Sequence, residues 1–527
     1  MSEEEKSISQ HDNGNGTDLE QVGTHSTQPL SAEITNLSEE HRKYLLEKHG
    51  TLDLDPVPSM TDADPFNWPR WRKIINLLLV GFHALMATFT SASIIPAFGE
   101  MAKDLNTTIQ RVSYLTTLQI AIIGCAPFLW RPLSARYGRR PIFIVSLIGS
   151  LCFNLGCAKA RSYSALAACS AFTCFFICPA AAIGSAVVVE TFFKNERAKC
   201  MGVWTVMFTL GVPTAPLIFG FVSYRIGYQW TYWILAMTNG VQLLLYLFLG
   251  LETRFIRQRH VPPATLPTFK QTCLHFHRID PTPLTALTFL SPFRLATYPC
   301  VLIPAISYSM SYLFASTLVI IEIPQLFIPK FHFNQQQLGL QFISVIVGAL
   351  IGDQLGGRLS DFWMAQARAR RAHAPTPTTP TRTIAPEYRL WLAYPGYLFC
   401  IIGVTVFLVR TEQAAPNKWN ITPIIGVAIA SVGKQMITTV LITYAVDCYP
   451  DEAAGIGVFM TFVRQIWNFL GPFWFPQMFD GVGLKGSVGI AVGLIVGVSI
   501  LPTGWVHWRG GSWRRGREGR GEMERRG

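Results

Sequence analysis

Between residues 74 and 506 the chain is a succession of apolar runs, each close to the length that carries a helix through a lipid bilayer. Twelve can be marked, at about 74–98, 112–130, 141–159, 164–189, 201–222, 230–250, 298–322, 338–357, 390–409, 421–443, 455–478 and 486–506. A helix needs about 20 such residues to cross the hydrocarbon. Short of a closed barrel, only a helix satisfies its own backbone hydrogen bonds there. Half of the 527 residues are apolar and 14% are charged, where a soluble chain carries about 25% charge. The expectation is an all-α integral membrane protein.

The charges that remain are distributed unevenly. Residues 1–64 hold 14 acids and 4 bases, while the rest hold 18 acids and 40 bases. Most of those bases punctuate apolar runs, as topology signals do, so nucleic acid is not an expected partner. If the N-terminal segment is cytoplasmic, the connections on its side (131–140, 190–200, 251–297, 358–389 and 507–527) carry 26 Lys/Arg and the opposite connections carry 9. This bias places both termini in the cytoplasm. A multi-pass protein of the plasma membrane is expected, with a vacuolar or other internal membrane as the alternative. The 11 cysteines lie mostly in or beside apolar runs and show no metal-ligand spacing. No phosphate-binding loop or nucleophile–base motif stands out, so neither an enzyme nor a metal or cofactor is expected.

The longest internal connection, 251–297, divides the runs six and six. The expected organisation is an acidic, disordered cytoplasmic tail with an interfacial segment (1–73), a six-helix bundle (74–250), a cytoplasmic loop (251–297), a second six-helix bundle (298–506) and a basic Gly/Arg-rich cytoplasmic tail (507–527). Ser38–His49 reads as a short helix with Ser38 as its cap. A weak internal repeat supports two matched halves: Arg131–Arg140 (RPLSARYGRR) follows the second run and Gly356–Trp363 (GGRLSDFW) follows the eighth. Leu133-Ser134 and Leu359-Ser360 occupy corresponding places. Two such halves frame a midplane site that opens to each side in turn.

These motifs resemble the major facilitator superfamily, and within it the fungal multidrug, drug:proton antiporter-like transporters. The resemblance spans roughly residues 64–506. In the family pattern G-x-L-A-D-R-x-G-R-K, this chain matches at Leu133, Arg136, Gly138, Arg139 and Arg140, with Arg131 and Ala135 replacing the first Gly and the Asp. Asp361 matches that Asp in the second half. Glu190–Arg197 (ETFFKNER), Leu251–Arg254 (LETR), Tyr444–Pro450 (YAVDCYP) and Phe462–Trp467 (FVRQIW) resemble further family segments. The stretch with Gly211, Pro213, Pro216 and Gly220 resembles the antiporter signature of the fifth span, with Ala215 and Phe219 in place of glycines. The resemblance implies a twelve-helix transporter, a small-molecule substrate, proton-coupled efflux and a monomer in the bilayer. The region around Ser170–Cys174 lacks the arginine that the family often uses in proton transfer. Uptake of an organic cation or polyamine is therefore the alternative reading, and a non-transporting membrane sensor is a second.

Residues fall into three candidate groups. Arg136, Arg139, Arg140, Glu190, Arg197, Asp361 and Asp447, with Gly138 as a turn, could latch helix ends in one conformation; a plain positive anchor is the alternative. Gly211, Pro213, Pro216 and Gly220 could shape a kinked helix between the halves. Charged and polar residues inside apolar runs form the third group, since a central Lys or Arg costs roughly 2.5–3.5 kcal/mol on insertion scales. These are His83, Asn239, Gln242, Tyr308, Tyr312, Glu322, Asp353, Lys434, Gln435, Arg464, Gln465 and Asn468. They could line a substrate path or carry protons. Internal salt bridges, such as Asp353 with Arg464 or Lys434, and aromatic packing are the alternatives.

Overall fold

The computed structural model describes residues 37–255, 285–372 and 385–526. The expectations for residues 1–36, for most of the 251–297 connection and for the middle of the 366–389 segment lie outside the described residues. Glu39–His49 forms the short N-terminal helix, with Ser38 accepting from the His41 N–H at its start and Gly50 closing it. It belongs to a unit that ends at Asp55; the second unit begins at Pro56.

The larger unit is built from membrane-length helices. We number them α1 (Arg70–Ala92, continued by Phe98–Asp104), α2 (Ile109–Tyr137), α3 (Arg139–Lys159), α4 (Tyr163–Thr191), α5 (Lys194–Ile226) and α6 (Gln229–Leu249). The second half holds α7 (Pro299–Phe331), α8 (Gln335–Gln366), α9 (Pro386–Gln413) and α10 (Thr422–Cys448). The last apolar stretch, Ala453–Arg515, is helical on both sides of a kink. It turns at Gly483, whose φ of 70° and ψ of 171° only glycine adopts without strain. That turn separates α11 (453–482) from α12 (484–526), so the described residues hold twelve crossings.

Local chemistry sets the helix ends. Thr108 and Ser162 cap α2 and α4 by accepting from the backbone N–H three residues on. Asn334 and Gln337 form a reciprocal capping box at the start of α8. Gly138, at φ 95°, reverses the chain between α2 and α3 within one residue. Large apolar side chains lie on the outer surface, among them Met237, Val241, Leu244 and Phe248 on α6. A soluble protein does not leave such a stripe in water; lipid is its solvent.

The two halves touch unevenly. α2 lies along α11, with Tyr114 stacked on Phe473 at 4.6 Å and Phe128 edge-on to Phe462 at 5.1 Å. α5 meets α8 mainly along Gln335–Gln341, more thinly along Ile343–Gln354, and at most slightly along the described residues beyond it. Gln335 Nε2 donates to Glu100 Oε2 at 2.6 Å at that same end. Gly202 on α5 and Gly357 on α8 have open space around them. The halves are thus closed at the end of the α1–α2 connection and parted, on the α5–α8 side, at the end of the Gly138 turn, called the basic end below.

Candidate functional site

At the basic end, Arg139 is the hub of the first half. Its position at the start of α3 follows from the Gly138 turn. Its guanidinium donates to Glu190 at the end of α4 (Nη2 to Oε1, 2.8 Å) and to Ser134 Oγ on α2 (2.6 Å). Arg140 Nη2 reaches the Leu247 carbonyl at the end of α6 (2.9 Å). Glu252, just past α6, accepts from the backbone N–H groups of Arg139 (2.8 Å) and Arg140 (3.0 Å) and so caps α3. Burial pushes the Glu252 carboxyl above its ordinary range, while these N–H donors, that of Arg254 and the Arg139 charge pull it partly back. Arg136 lies over the Tyr137 ring (5.6 Å) instead, and Arg197 sits half-buried in the first turn of α5.

The second half repeats this arrangement with Arg389 in the role of Arg139. Arg389 precedes the long run of α9, donates to Ser360 Oγ on α8 (2.7 Å) and pairs with Asp447 at the end of α10 (3.1 Å). Asp361 is the weaker partner, mostly exposed and 3.5 Å away. Each hub therefore joins the ends of three helices, related as α2–α3–α4 is to α8–α9–α10. The fourth contact is reversed in polarity. Glu387 stands at the start of α9 and its partner Arg514 lies on the extension of α12 (3.5 Å). Residues 507–515, expected only as a tail, are thus packed against the second half. Ser360 matches Ser134 as the Leu-Ser repeat indicated. Glu252 stands within the LETR segment that resembles the family, but no role followed for it from the sequence; Arg389 was not singled out, because it lies 28 residues beyond Asp361 and 58 before Asp447.

The midplane cluster is built by α7, α8, α10 and α11. Arg464 Nη1 donates to Tyr308 Oη at 2.6 Å. Arg464 also lies 4.8 Å from the Tyr312 ring centre, and Lys434 Nζ lies 5.1 Å from the same ring. Tyr308 and Tyr312 meet edge to face at 5.9 Å. Lys434 Nζ donates to Ser316 Oγ at 3.3 Å. Gln435 Nε2 donates to Asp353 Oδ1 at 2.6 Å, and Asn468 donates to Gln465 at 3.3 Å. Among the described residues Asp353 forms no ion pair with Lys434 or Arg464; the glutamine takes its place. Ser316 lies in a π-helical turn, Leu313–Leu318, and Asp353 lies two residues before another, Leu355–Leu359. Such turns loosen the helical ladder and often mark functional sites. Nothing in the sequence of α7 announces the first; Gly356-Gly357 accompanies the second.

Magnitudes decide how this cluster is balanced. Desolvating each basic side chain costs several kcal/mol. A cation–π contact returns about 0.5–2 kcal/mol, and a hydrogen bond to a charged group about 1.5–3. The tyrosines and Ser316 offset part of the desolvation of Arg464 and Lys434 and leave a positive centre. Lys434, Gln435, Arg464 and Gln465 keep 5, 4, 8 and 8% exposure, whereas His83, Asn239 and Gln242 keep none.

Those three sit inside the first half. Ser146 Oγ donates its proton to the Phe176 carbonyl, so it accepts from His83 Nε2 at 3.1 Å. Phe143 and Tyr246 wall the imidazole. Asn239 donates to Ser150 Oγ (2.7 Å) and Gln242 to the Leu79 carbonyl (3.2 Å). All three pin helices together and stand apart from the midplane cluster. Glu322 on α7 is fully buried, and neither carboxyl oxygen has a hydrogen-bond partner among the described residues. An apolar groove of about 630 Å³ lies between α8 and α10, lined by Phe333, Leu340, Trp419 and Ile424 among others, and contains none of the candidate residues.

Gly211 and Gly220 of α5 lie at close helix contacts. A Cβ on Gly211 would stand 2.5 Å from the Leu85 carbonyl of α1. A Cβ on Gly220 would stand 2.7 Å from the Gln335 carbonyl and 3.0 Å from Gly339 Cα, across the boundary between halves. Pro213 and Pro216 lie between these contacts, inside α5. Near them Thr214 Oγ1 donates to the Leu210 carbonyl at 2.6 Å.

Comparison with known proteins agrees with this architecture. The Major Facilitator Superfamily model matches residues 79–472. The chain is 25% identical over 456 residues to the multidrug transporter FLU1 of Candida albicans, covering 84% of this chain and 72% of that protein. It is 23% identical over 441 residues to the probable efflux pump mfs2 of Aspergillus flavus, covering 80% and 98%. A bacterial homologue of the human lysosomal transporter Spinster, solved inward-facing and unoccupied, superposes with a TM-score of 0.57 at 14% identity, covering 83% of this chain and 97% of that one. Twelve crossings in two related halves, with matching hubs at one end and a family match over most of the chain, lead to one conclusion: the chain belongs to the major facilitator superfamily.

Proposed function

We propose that this transporter exports a small organic molecule from the cytoplasm across the plasma membrane, coupled to protons, by alternating access. The observation that carries the reading is the uneven contact between halves. They close through Gly220, Gly339, Glu100 and Gln335 at one end and part on the α5–α8 side at the other. The midplane polar cluster lies between. With the basic end in the cytoplasm, as the positive-inside bias indicates, the conformation described is the one that loads from inside. Relatives named as multidrug transporter and efflux pump support the outward direction.

In this reading the hubs at Arg139 and Arg389 hold helix ends together within each half, so that each half moves as a body. Asp353 and Glu322 are the carboxyl groups placed to carry protons. Asp353 shares its hydrogen bond with Gln435 beside the cluster, and Glu322 is buried on α7. Flux of a fluorescent dye in proteoliposomes tests the coupling. Efflux should rise when the pH gradient drives protons inward, and Asp353→Asn or Glu322→Gln should abolish that dependence. Flux indifferent to the imposed gradient would contradict proton coupling.

A further inference from the structure

The midplane cluster holds two basic side chains, Lys434 and Arg464, and one carboxylate, Asp353, which among the described residues forms an ion pair with neither. Arg464 spends Nη1 on Tyr308, and its buried Nε has no acceptor among the described residues. The one hydrogen bond the structure gives Lys434 Nζ is to Ser316. Both stand within about 5 Å of the centre of one ring, that of Tyr312, at 4.8 and 5.1 Å. Asp353 on α8 accepts from Gln435, forms no ion pair with either base among the described residues, and as one carboxylate offsets at most one of the two positive charges. Arginine keeps its charge at any physiological pH. A buried positive centre whose contacts are tyrosines and a serine is complementary to a negative ligand.

From this we infer that the cargo is an organic anion. Its acid group lodges between Lys434 and Arg464, and a flat, conjugated body lies against Tyr308 and Tyr312. The inference rests on the transport reading and narrows it to a substrate class. It also accounts for direction. A negative cytoplasm pushes an anion outward, so the membrane potential assists export. A polyamine or other cation meets repulsion at this site, whichever way it travels.

Two dyes with related flat xanthene rings separate the alternatives: fluorescein, an anion, and rhodamine 6G, a cation. Binding to the purified full-length protein is read by fluorescence anisotropy, and flux is read in proteoliposomes. Fluorescein should bind and cross, with rhodamine 6G at least about tenfold poorer in both. Lys434→Gln and Arg464→Gln should each weaken fluorescein binding about tenfold or more. Arg464→Lys, which keeps the charge, should restore part of it. Size-exclusion profiles like the parent's show that the variants fold. Rhodamine 6G carried in preference to fluorescein would overturn the anion inference and leave the transport reading standing. Fluorescein bound through Lys434 and Arg464 with no flux of either dye would sustain the anion site and overturn the transport reading. Fluorescein that fails to bind, or binds equally well to both Gln variants, overturns the inference.

Discussion

Arg139 and Arg389 show how much one side chain can organise. Each guanidinium reaches a serine and a carboxylate on different helices, which a planar fork does and a single ammonium does not. Replacing either by lysine keeps the charge and loses one arm of the contact. Arg139→Lys and Arg389→Lys should each lower dye flux about tenfold, the worth of one charged hydrogen bond, at unchanged surface expression. Full flux in either variant would reduce these arginines to topology anchors. At this scale the sequence was legible where chemistry repeats and illegible where it does not. Ser134 and Ser360 could be paired by the shared Leu-Ser, and the charges within apolar runs identified Lys434, Arg464 and Asp353. His83, Asn239 and Gln242 are equally polar in sequence, yet they close hydrogen bonds between packed helices. Nothing in one chain's residue order separates a buried pin from a reachable ligand. Ser316 was missed for the same reason: a serine in an apolar run carries no mark of the lysine it will meet.

Among the elements, the twelve apolar runs announced the helices, because the length of a membrane crossing is fixed by lipid and not by the fold. Their ends were less legible. The connection between α11 and α12 is one non-helical residue, Gly483, where a short loop was the natural reading. Hydrophobic periodicity does not mark the π-helical turns of α7 and α8. The α5–α8 contact is where an element-scale substitution is most informative. Valine at Gly220 would press on the backbone of Gln335 and Gly339. Overpacking of this kind costs about 1–3 kcal/mol, enough to shift a two-state equilibrium roughly 5- to 150-fold. Gly220→Val should therefore destabilise the closed end. A cysteine placed at Gln335 should then react faster with a membrane-impermeant thiol reagent added outside. Unchanged reactivity would mean that this contact does not govern closure.

For the whole molecule, the proposed function takes the two halves, each held by its hub and joined by an uneven seam, as bodies that rock about the midplane cluster. On that reading the α2–α11 contact supplies continuity between the halves while the α5–α8 seam changes. On that reading the two ends are never open together, so distances across them change in opposite directions. Spin labels at Lys103 and Lys418 span one end, and labels at Lys199 and Arg358 span the other; all four residues are exposed. With the 11 native cysteines replaced, pulsed electron–electron resonance reads both distances with and without transported dye and a pH gradient. The account predicts that as the Lys199–Arg358 distance shortens, the Lys103–Lys418 distance lengthens. Two distances that stay fixed, or that grow and shrink together, would contradict it.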